Sequence, residues 1–432
     1  MSELSPLERL RAELQDGRVA PTDVARDAIA HMGSANAYLW RDDAALLRRA
    51  EELPRQFADA TQKPMLYGVP VSLKDCFDLA GTVTTCGSRF YAKTHAVAER
   101  DSWVAERLLQ AGAMILGKTH LHQLAYGITG ENADYGDCPQ PRDGTLLTGG
   151  SSSGAAASVQ EGSALAAIGT DTGGSVRVPA ALCGLPGYRA SLGLIEEEVC
   201  WRGGAHLAAS FDTIGLLFRD LRDGPELAKA LLGIPLGEAE WEVRIGCVGE
   251  AFLEDCEDEV LGALDDRMRE LVLRGASIER FDAGFWAESM EIFAPIQASE
   301  AAELHRGFYG EFEPAIAERL AWGATIEASE LVVLRERLRV FRERLSEVFE
   351  RFDFLLVPCS PVSRLVAGED QSGARKRILR YTTPMSLGGN PVVALPGEQI
   401  GSAMGTGMQL VGRVGQDARL LAFAAGLGAA SR

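Results

Sequence analysis

Residues 148–179 read TGGSSSGAAASVQEGSALAAIGTDTGGSVRVP, and the rest of the chain is organised around them. Two clusters bracket a small-residue segment. The first is Gly149-Gly150-Ser151-Ser152-Ser153-Gly154 and the second is Thr170-Asp171-Thr172-Gly173-Gly174-Ser175. Glycine lets a backbone approach a ligand closely. Serine supplies a hydroxyl that can attack or relay a proton. The intervening Ala155 to Gly169 is mostly alanine with Val159, Leu165 and Ile168, which suits a tightly buried helix followed by a strand or turn. The two clusters together read as an active site built from backbone amides and hydroxyls.

Upstream, residues 66–75 read LYGVPVSLKD. Val69, Val71 and Leu73 alternate with Pro70, Ser72 and Lys74, a period-two strand signal. Lys74 is then on the face opposite the apolar residues, where a lone strand-end lysine is ordinarily a surface group. Residues 101–112 read as a helix with Asp101 as N-cap and Gly112 at its C-terminus. Residues 113–119 follow as a buried strand, so the pair suggests a parallel crossover. His120 and His122 form an H-x-H pair with no completing ligands, so no metal is expected. Residues 126–147 read as a long loop, and a loop of that length is commonly functional.

Before this core, residues 5–60 read as three helices, the first capped by Ser5-Pro6. After it, strands are expected near 210–217, 243–248, 354–358, 391–396 and 407–412. Helices are expected at 220–233, 255–275, 298–351 and 416–427, and a loop at 381–397 around the strand at 391–396. Strands alternate with helices throughout, without repeat or low-complexity linker. This pattern predicts an α/β fold: one large domain over 1–432 with a central mixed β-sheet covered by helices on both faces. Within it, 1–60 forms a helical layer, 61–220 the core and 221–432 the remainder of sheet and helices.

Composition narrows the function. The 43 basic against 61 acidic residues leave a net charge of −18, which argues against nucleic acid or an anionic membrane as partner. No apolar run is long enough to span a bilayer, and the N-terminal residues lack a signal pattern. Eight scattered cysteines without CxxC suit free thiols, so a cytoplasmic location is expected.

Three chemistries compete for the Gly/Ser stretch. A phosphate loop would need G-x-x-x-x-G-K-[ST], which is absent. Gly150-Ser151-Ser152-Ser153-Gly154 formally matches the G-x-S-x-G nucleophile elbow, with Ser152 central. However, only Thr145-Leu146-Leu147-Thr148 precedes it, and His206 and His305 are the histidines available downstream. The third reading joins both clusters to Lys74. Gly68-Val69-Pro70-Val71-Ser72-Leu73-Lys74-Asp75, the GGSSSG at 149–154 and GTDTGGSVRVPA at 169–180 occur in order with SFDTIG at 210–215, Leu356-Val357-Pro358 and GMQLVG at 407–412. In this set the sequence resembles the amidase signature family of serine hydrolases.

The resemblance implies a Ser–cis-Ser–Lys triad. Ser175 would be the nucleophile, Ser151 the bridging serine after a cis Gly150–Ser151 bond, and Lys74 the base. Ser151 and Ser175 lie 24 residues apart, as the family's spacing implies. The backbone N–H groups of Thr172, Gly173, Gly174 and Ser175 would face the oxyanion, with Gly150, Ser152, Asp171 and Arg177 supporting the loops. A lysine base must be neutral. Bringing its pKa from ~10.4 to ~7 destabilises the ammonium by roughly 4–5 kcal/mol, which burial can do. The expected reaction is hydrolysis of a small or aryl carboxylic amide through an acyl-enzyme, without metal or cofactor. Residues 125–136 look like the matching loop of short indole-3-acetamide amidohydrolases. That places Tyr126, Gly127, Ile128 and Thr129 in the substrate pocket. The alternatives are the amidase subunit of a tRNA-dependent amidotransferase, a carbamate- or ester-cleaving hydrolase, and a non-catalytic binding member of the fold. Self-association as a homodimer is left open.

Overall fold

The computed structural model describes residues 4–33, 35–397 and 405–429. Its strands in chain order are β1 (Tyr38–Trp40), β2 (Pro70–Lys74), β3 (Met114–Thr119), β4 (Pro139–Gln140), β5 (Asp143–Leu147), β6 (Ala166–Asp171) and β7 (Gly187–Arg189). They continue with β8 (Thr213–Phe218), β9 (Arg244–Val248), β10 (Ser277–Phe281), β11 (Phe354–Pro358), β12 (Val392–Leu395) and β13 (Met408–Val411). Eleven form one sheet in the order β1-β3-β2-β6-β8-β7-β12-β13-β11-β9-β10. β3, β2 and β6 run parallel, as do β11, β9 and β10, and the central pairs are antiparallel. The mixed α/β sheet expected from the alternation of elements is therefore present.

The period-two pattern divides the core. On β6, Ala166 and Ile168 join the larger apolar cluster and Ala167 the second; on β8, Ile214, Leu216 and Phe218 join the larger and Leu217 the second. Helical residues complete both clusters, so both faces of the sheet are covered. Val24, Ala25, Leu46 and Ala50 from the N-terminal helices pack with Ala155, Ala156 and Val159 on the second face. The three N-terminal helices form at Pro6–Gln15, Pro21–His31 and Asp43–Gln56. The first opens with a reciprocal capping box between Ser5 and Glu8.

Several expectations require correction. The helix at 101–112 starts on Ser102, whose hydroxyl accepts from the Ala105 amide, while Asp101 accepts from Ala80 N. Residues 139–147 form the β4–β5 hairpin rather than continuous loop. Residues 381–388 belong to a helix, Ser372–Gly388, despite Thr382, Thr383 and Pro384. Burial of every residue from Tyr381 to Leu387 overrides their poor helix propensity. The Thr383 hydroxyl is satisfied inside the helix by Leu379 O at 2.7 Å.

No helix among the described residues is long and apolar enough to cross a membrane.

Candidate active site

Lys74 ends β2, and the strand explains how it is hidden. Val71 and Leu73 enter the larger apolar cluster, whereas Ser72 Oγ meets Ser158 Oγ of the helix Ser153–Glu161 at 2.8 Å. The face carrying Ser72 and Lys74 is thus covered by the Ala-rich helix, and Lys74 is fully buried. The alternation places Lys74 on the predicted side, but that side is not the surface.

The Lys74 ammonium has three donors and three hydroxyl acceptors. Nζ lies 2.8 Å from Ser151 Oγ, 2.8 Å from Thr170 Oγ1 and 3.1 Å from Ser152 Oγ. It forms no ion pair among the described residues. The adjacent carboxylate, Asp75, is instead engaged by Lys118 at 2.7 Å and by the Thr85 amide. Burial pushes the Lys74 amine down to about 8, against the opposing pull of Cys76 and Asp171. Three hydroxyls satisfy the protonated form, but they do not repay its desolvation as a carboxylate would.

Ser151 and Ser152 sit at the entrance of the helix Ser153–Glu161, and the Gly150–Ser151 bond is cis. Gly150 N donates to Ile128 O at 2.8 Å, tying the serine cluster to the 126–129 loop. Ser152 packs over β6 at Gly169, where a Cβ would stand only 2.6 Å from Ser152 Oγ, so this position requires glycine. The second cluster is joined to the first by Ser152 N donating to Ser175 O at 3.1 Å. The Ser175 hydroxyl itself has no hydrogen-bond partner among the described residues.

A buried charge cluster holds the second loop. Asp171 accepts from Arg177 Nε and Nη2, from Arg189 Nη1, and from the amides of Gly174, Val176 and Arg177. Burial pushes its carboxyl up, yet the Arg177 and Arg189 guanidiniums outweigh this and hold it well below the usual carboxylate range. Arg177 continues to Gln409 Oε1 at 2.7 Å and Ser386 Oγ at 2.8 Å, which gives the GMQLVG motif a structural role. Thr172 Oγ1 donates to Asp212 at 2.5 Å, and Asp212 also accepts the Leu207 and Ala208 amides.

The same network amends the expected set of oxyanion donors. The Gly174 N–H, at a φ of 127°, is occupied by Asp171 Oδ1 at 2.9 Å. The N–H groups of Thr172, Gly173 and Ser175 have no acceptor among the described residues. Asp171→Ala would leave two buried guanidiniums without their carboxylate. It is expected to lower unfolding stability by about 3–5 kcal/mol, measured as a shift of the urea midpoint at unchanged slope.

Ser175 and Gly173 line a cavity of about 20 Å³ together with Tyr126, Gly127 and Ile128. Thr129, grouped with them from the sequence, does not line it; its hydroxyl donates to Glu131 Oε2 at 2.6 Å. Gly127 is required by crowding, since a Cβ there would fall 2.1 Å from His122 Nε2. His122 pairs with Glu313 at 3.3 Å and His120 Nε2 with Gly136 O at 2.8 Å. Sequence reasoning missed Leu207, Gln297, Arg375 and Leu379 in this cavity, as well as Thr170 and Arg189 around it. Leu207, Gln297, Arg375 and Leu379 come from segments outside the clusters, and nothing local marks them. A larger cavity of about 540 Å³ lies between residues 190–197, Trp201 and the helix Ala328–Arg351. None of Lys74, Ser151 or Ser175 lines it; Asp212, which accepts from Thr172, links its wall to the site.

The site thus sets a buried lysine among serine and threonine hydroxyls at the end of a parallel strand of the mixed sheet. Similarity to known proteins shows the family. Residues 24–421 match the amidase family, so the chain belongs to that family and is an amidohydrolase of the amidase signature type. It is 29% identical to AtzE, the 1-carboxybiuret hydrolase subunit of Pseudomonas sp. (strain ADP), covering 92% of each chain. It is also 29% identical to a glutamyl-tRNA(Gln) amidotransferase subunit of Thermosynechococcus vestitus, covering 87% of this chain and 86% of that one. A solved crystal structure described as an amidase superposes with a TM-score of 0.89 at 29% identity, covering 98% of each chain.

Proposed function

We propose that this protein hydrolyses a small carboxylic amide with Ser175 as nucleophile, Ser151 as proton relay and Lys74 as base. The observation that carries the reading is the contact of Lys74 Nζ with Ser151 Oγ, in a buried site where the amine has no carboxylate partner. A serine hydroxyl is a weak nucleophile until a base accepts its proton. Neutral Lys74 takes the Ser151 proton, and Ser151 takes that of Ser175 as Ser175 Oγ bonds to the amide carbonyl carbon. The free N–H groups among Thr172, Gly173 and Ser175 receive the negative charge on the carbonyl oxygen. Collapse breaks the C–N bond, and the leaving amine or ammonia collects the proton returned from Lys74 through Ser151. Water then attacks the acyl-enzyme by the same relay and releases the acid.

Ser152 also touches Lys74 and is the centre of the G-x-S-x-G match, so it is the rival nucleophile. A fluorophosphonate probe with peptide mapping separates the two. The label is expected on Ser175 and is expected to vanish in Ser175→Ala; label on Ser152, or label persisting in that variant, refutes the assignment.

A second reading, the amidase subunit of a tRNA-dependent amidotransferase, draws on the identity to the glutamyl-tRNA(Gln) amidotransferase relative. It calls for partner subunits and an ammonia channel. Glutamine hydrolysis that rises when such partners are added would favour it over a stand-alone amidase.

A further inference from the structure

Arg375 lies on the helix Ser372–Gly388 and lines the cavity that holds Ser175. Its guanidinium has no ion-pair partner among the described residues, and its Nε is buried without a hydrogen bond. The neighbouring charge is of the same sign. Arg319 Nη2 donates to Tyr126 O at 2.8 Å and its guanidinium covers the Tyr126 ring at 4.7 Å, while its own Nε is also buried and unpartnered. Glu313, the carboxylate beside Arg319, is paired with His122 and accepts the Ala133 amide. Burial first, and Arg319 second, pull the Arg375 guanidinium down to about 10, so it remains cationic at neutral pH.

The contrast within the site is informative. Arg177 and Arg189, both fully buried, share the Asp171 carboxylate, whereas Arg375 is half-buried and has no carboxylate among the described residues. A guanidinium presents a planar fork of donors suited to a carboxylate, and the buried Arg375 Nε is a donor left unmatched in the cavity wall. The other cavity walls are Tyr126, Ile128, Leu207 and Leu379, plus the Gln297 amide, which also lacks a partner among the described residues. The cavity holds no more than a water or two. Substrate entry therefore requires a lining side chain to move, and Arg375 has a long stem with no side-chain tie.

We propose that Arg375 is the specificity residue of this site and that the substrate is an amide bearing a carboxylate, received by Arg375 a short spacer away from the carbonyl that Ser175 attacks. This rests on the amidase reading given above. It distinguishes the pocket from one for neutral aryl amides, the class suggested by the 125–136 loop.

The test compares monoamides of short dicarboxylic acids, succinamate to adipamate, with the corresponding neutral diamides. For at least one chain length, wild-type kcat/KM is expected to favour the carboxylate-bearing amide at least tenfold. In Arg375→Gln that ratio is expected to fall toward one, with the change carried by KM, and Arg375→Lys is expected to recover part of it. A wild-type ratio near one at every length, or a ratio unchanged in Arg375→Gln, overturns the inference while leaving the amidase reading intact. No turnover of any amide together with no fluorophosphonate label on Ser175 defeats the amidase reading instead. In that case calorimetric titration of glutaramate and glutaramide decides the role of Arg375 directly. Selective binding of glutaramate that is lost in Arg375→Gln supports it, and absent or unselective binding overturns it.

Discussion

Ser175→Ala is expected to lower kcat by about 10⁴-fold or more while leaving the thermal midpoint nearly unchanged. Losses of this order follow when the nucleophile of an acyl-transfer site is removed, with the residue above the uncatalysed rate supplied by the oxyanion donors and by binding. The Ser175 hydroxyl makes no hydrogen bond among the described residues, so its loss removes no structural contact. Ser151→Ala is expected to be comparably damaging, because it interrupts the path between Ser175 and Lys74. Ser152→Ala is expected to cost clearly less. It removes one of three acceptors of Lys74 and leaves Ser151 and Thr170 at 2.8 Å. The decisive measurement is the order of the three kcat values. If Ser152→Ala is the most damaging, the G-x-S-x-G reading is right and the relay through Ser151 is wrong.

Lys74 carries the second large effect, and it has two opposite signs. The amine acts as base only when neutral, and its pKa is pushed down to about 8. kcat/KM is therefore expected to rise about tenfold per pH unit below this value and to level off above it. Lys74→Met is expected to abolish this limb and to reduce kcat by about 10³-fold or more, since no other base among the described residues touches Ser151 Oγ. Stability should move the other way. The folded pKa is below the unfolded value, so the unfolded chain binds more protons between about 8 and ~10.4, and this group's contribution to stability rises with pH across that window. Below it, the buried ammonium opposes folding by about 3 kcal/mol. Lys74→Met is thus expected to raise the denaturation midpoint at neutral pH, the common exchange of stability for activity. A variant that is both inactive and less stable would mean that the three hydroxyl contacts outweigh the desolvation of the ammonium.

Both effects depend on features of unequal legibility. The strand at 70–74, the helix and strand after Ser152 and the loop at 172–175 were all readable, because glycine spacing and period-two alternation are local signals. Lys74 shows the limit of such signals. Alternation placed it opposite Val71 and Leu73, but whether that face meets solvent depends on a helix some 80 residues later. Gly174 shows another limit. The TGGS run suggested four equivalent amides, yet the Asp171 carboxylate occupies one of them. The helix at 381–388 was hidden because its threonines and proline resemble a loop until the surrounding layers bury them.

The ordered motifs pointed to the family and the three residues proposed for catalysis, and the alternation of strands and helices to the α/β class, since each is a local pattern constrained by neighbours in the chain. Only the tertiary structure decided that Lys74 is buried without a carboxylate among the described residues, that Arg177 is bound to Gln409 across 232 positions, and that Arg375 lines the same cavity as Ser175 with no ion-pair partner among the described residues. Burial and charge pairing are set by residues distant in sequence, so no local pattern encodes them.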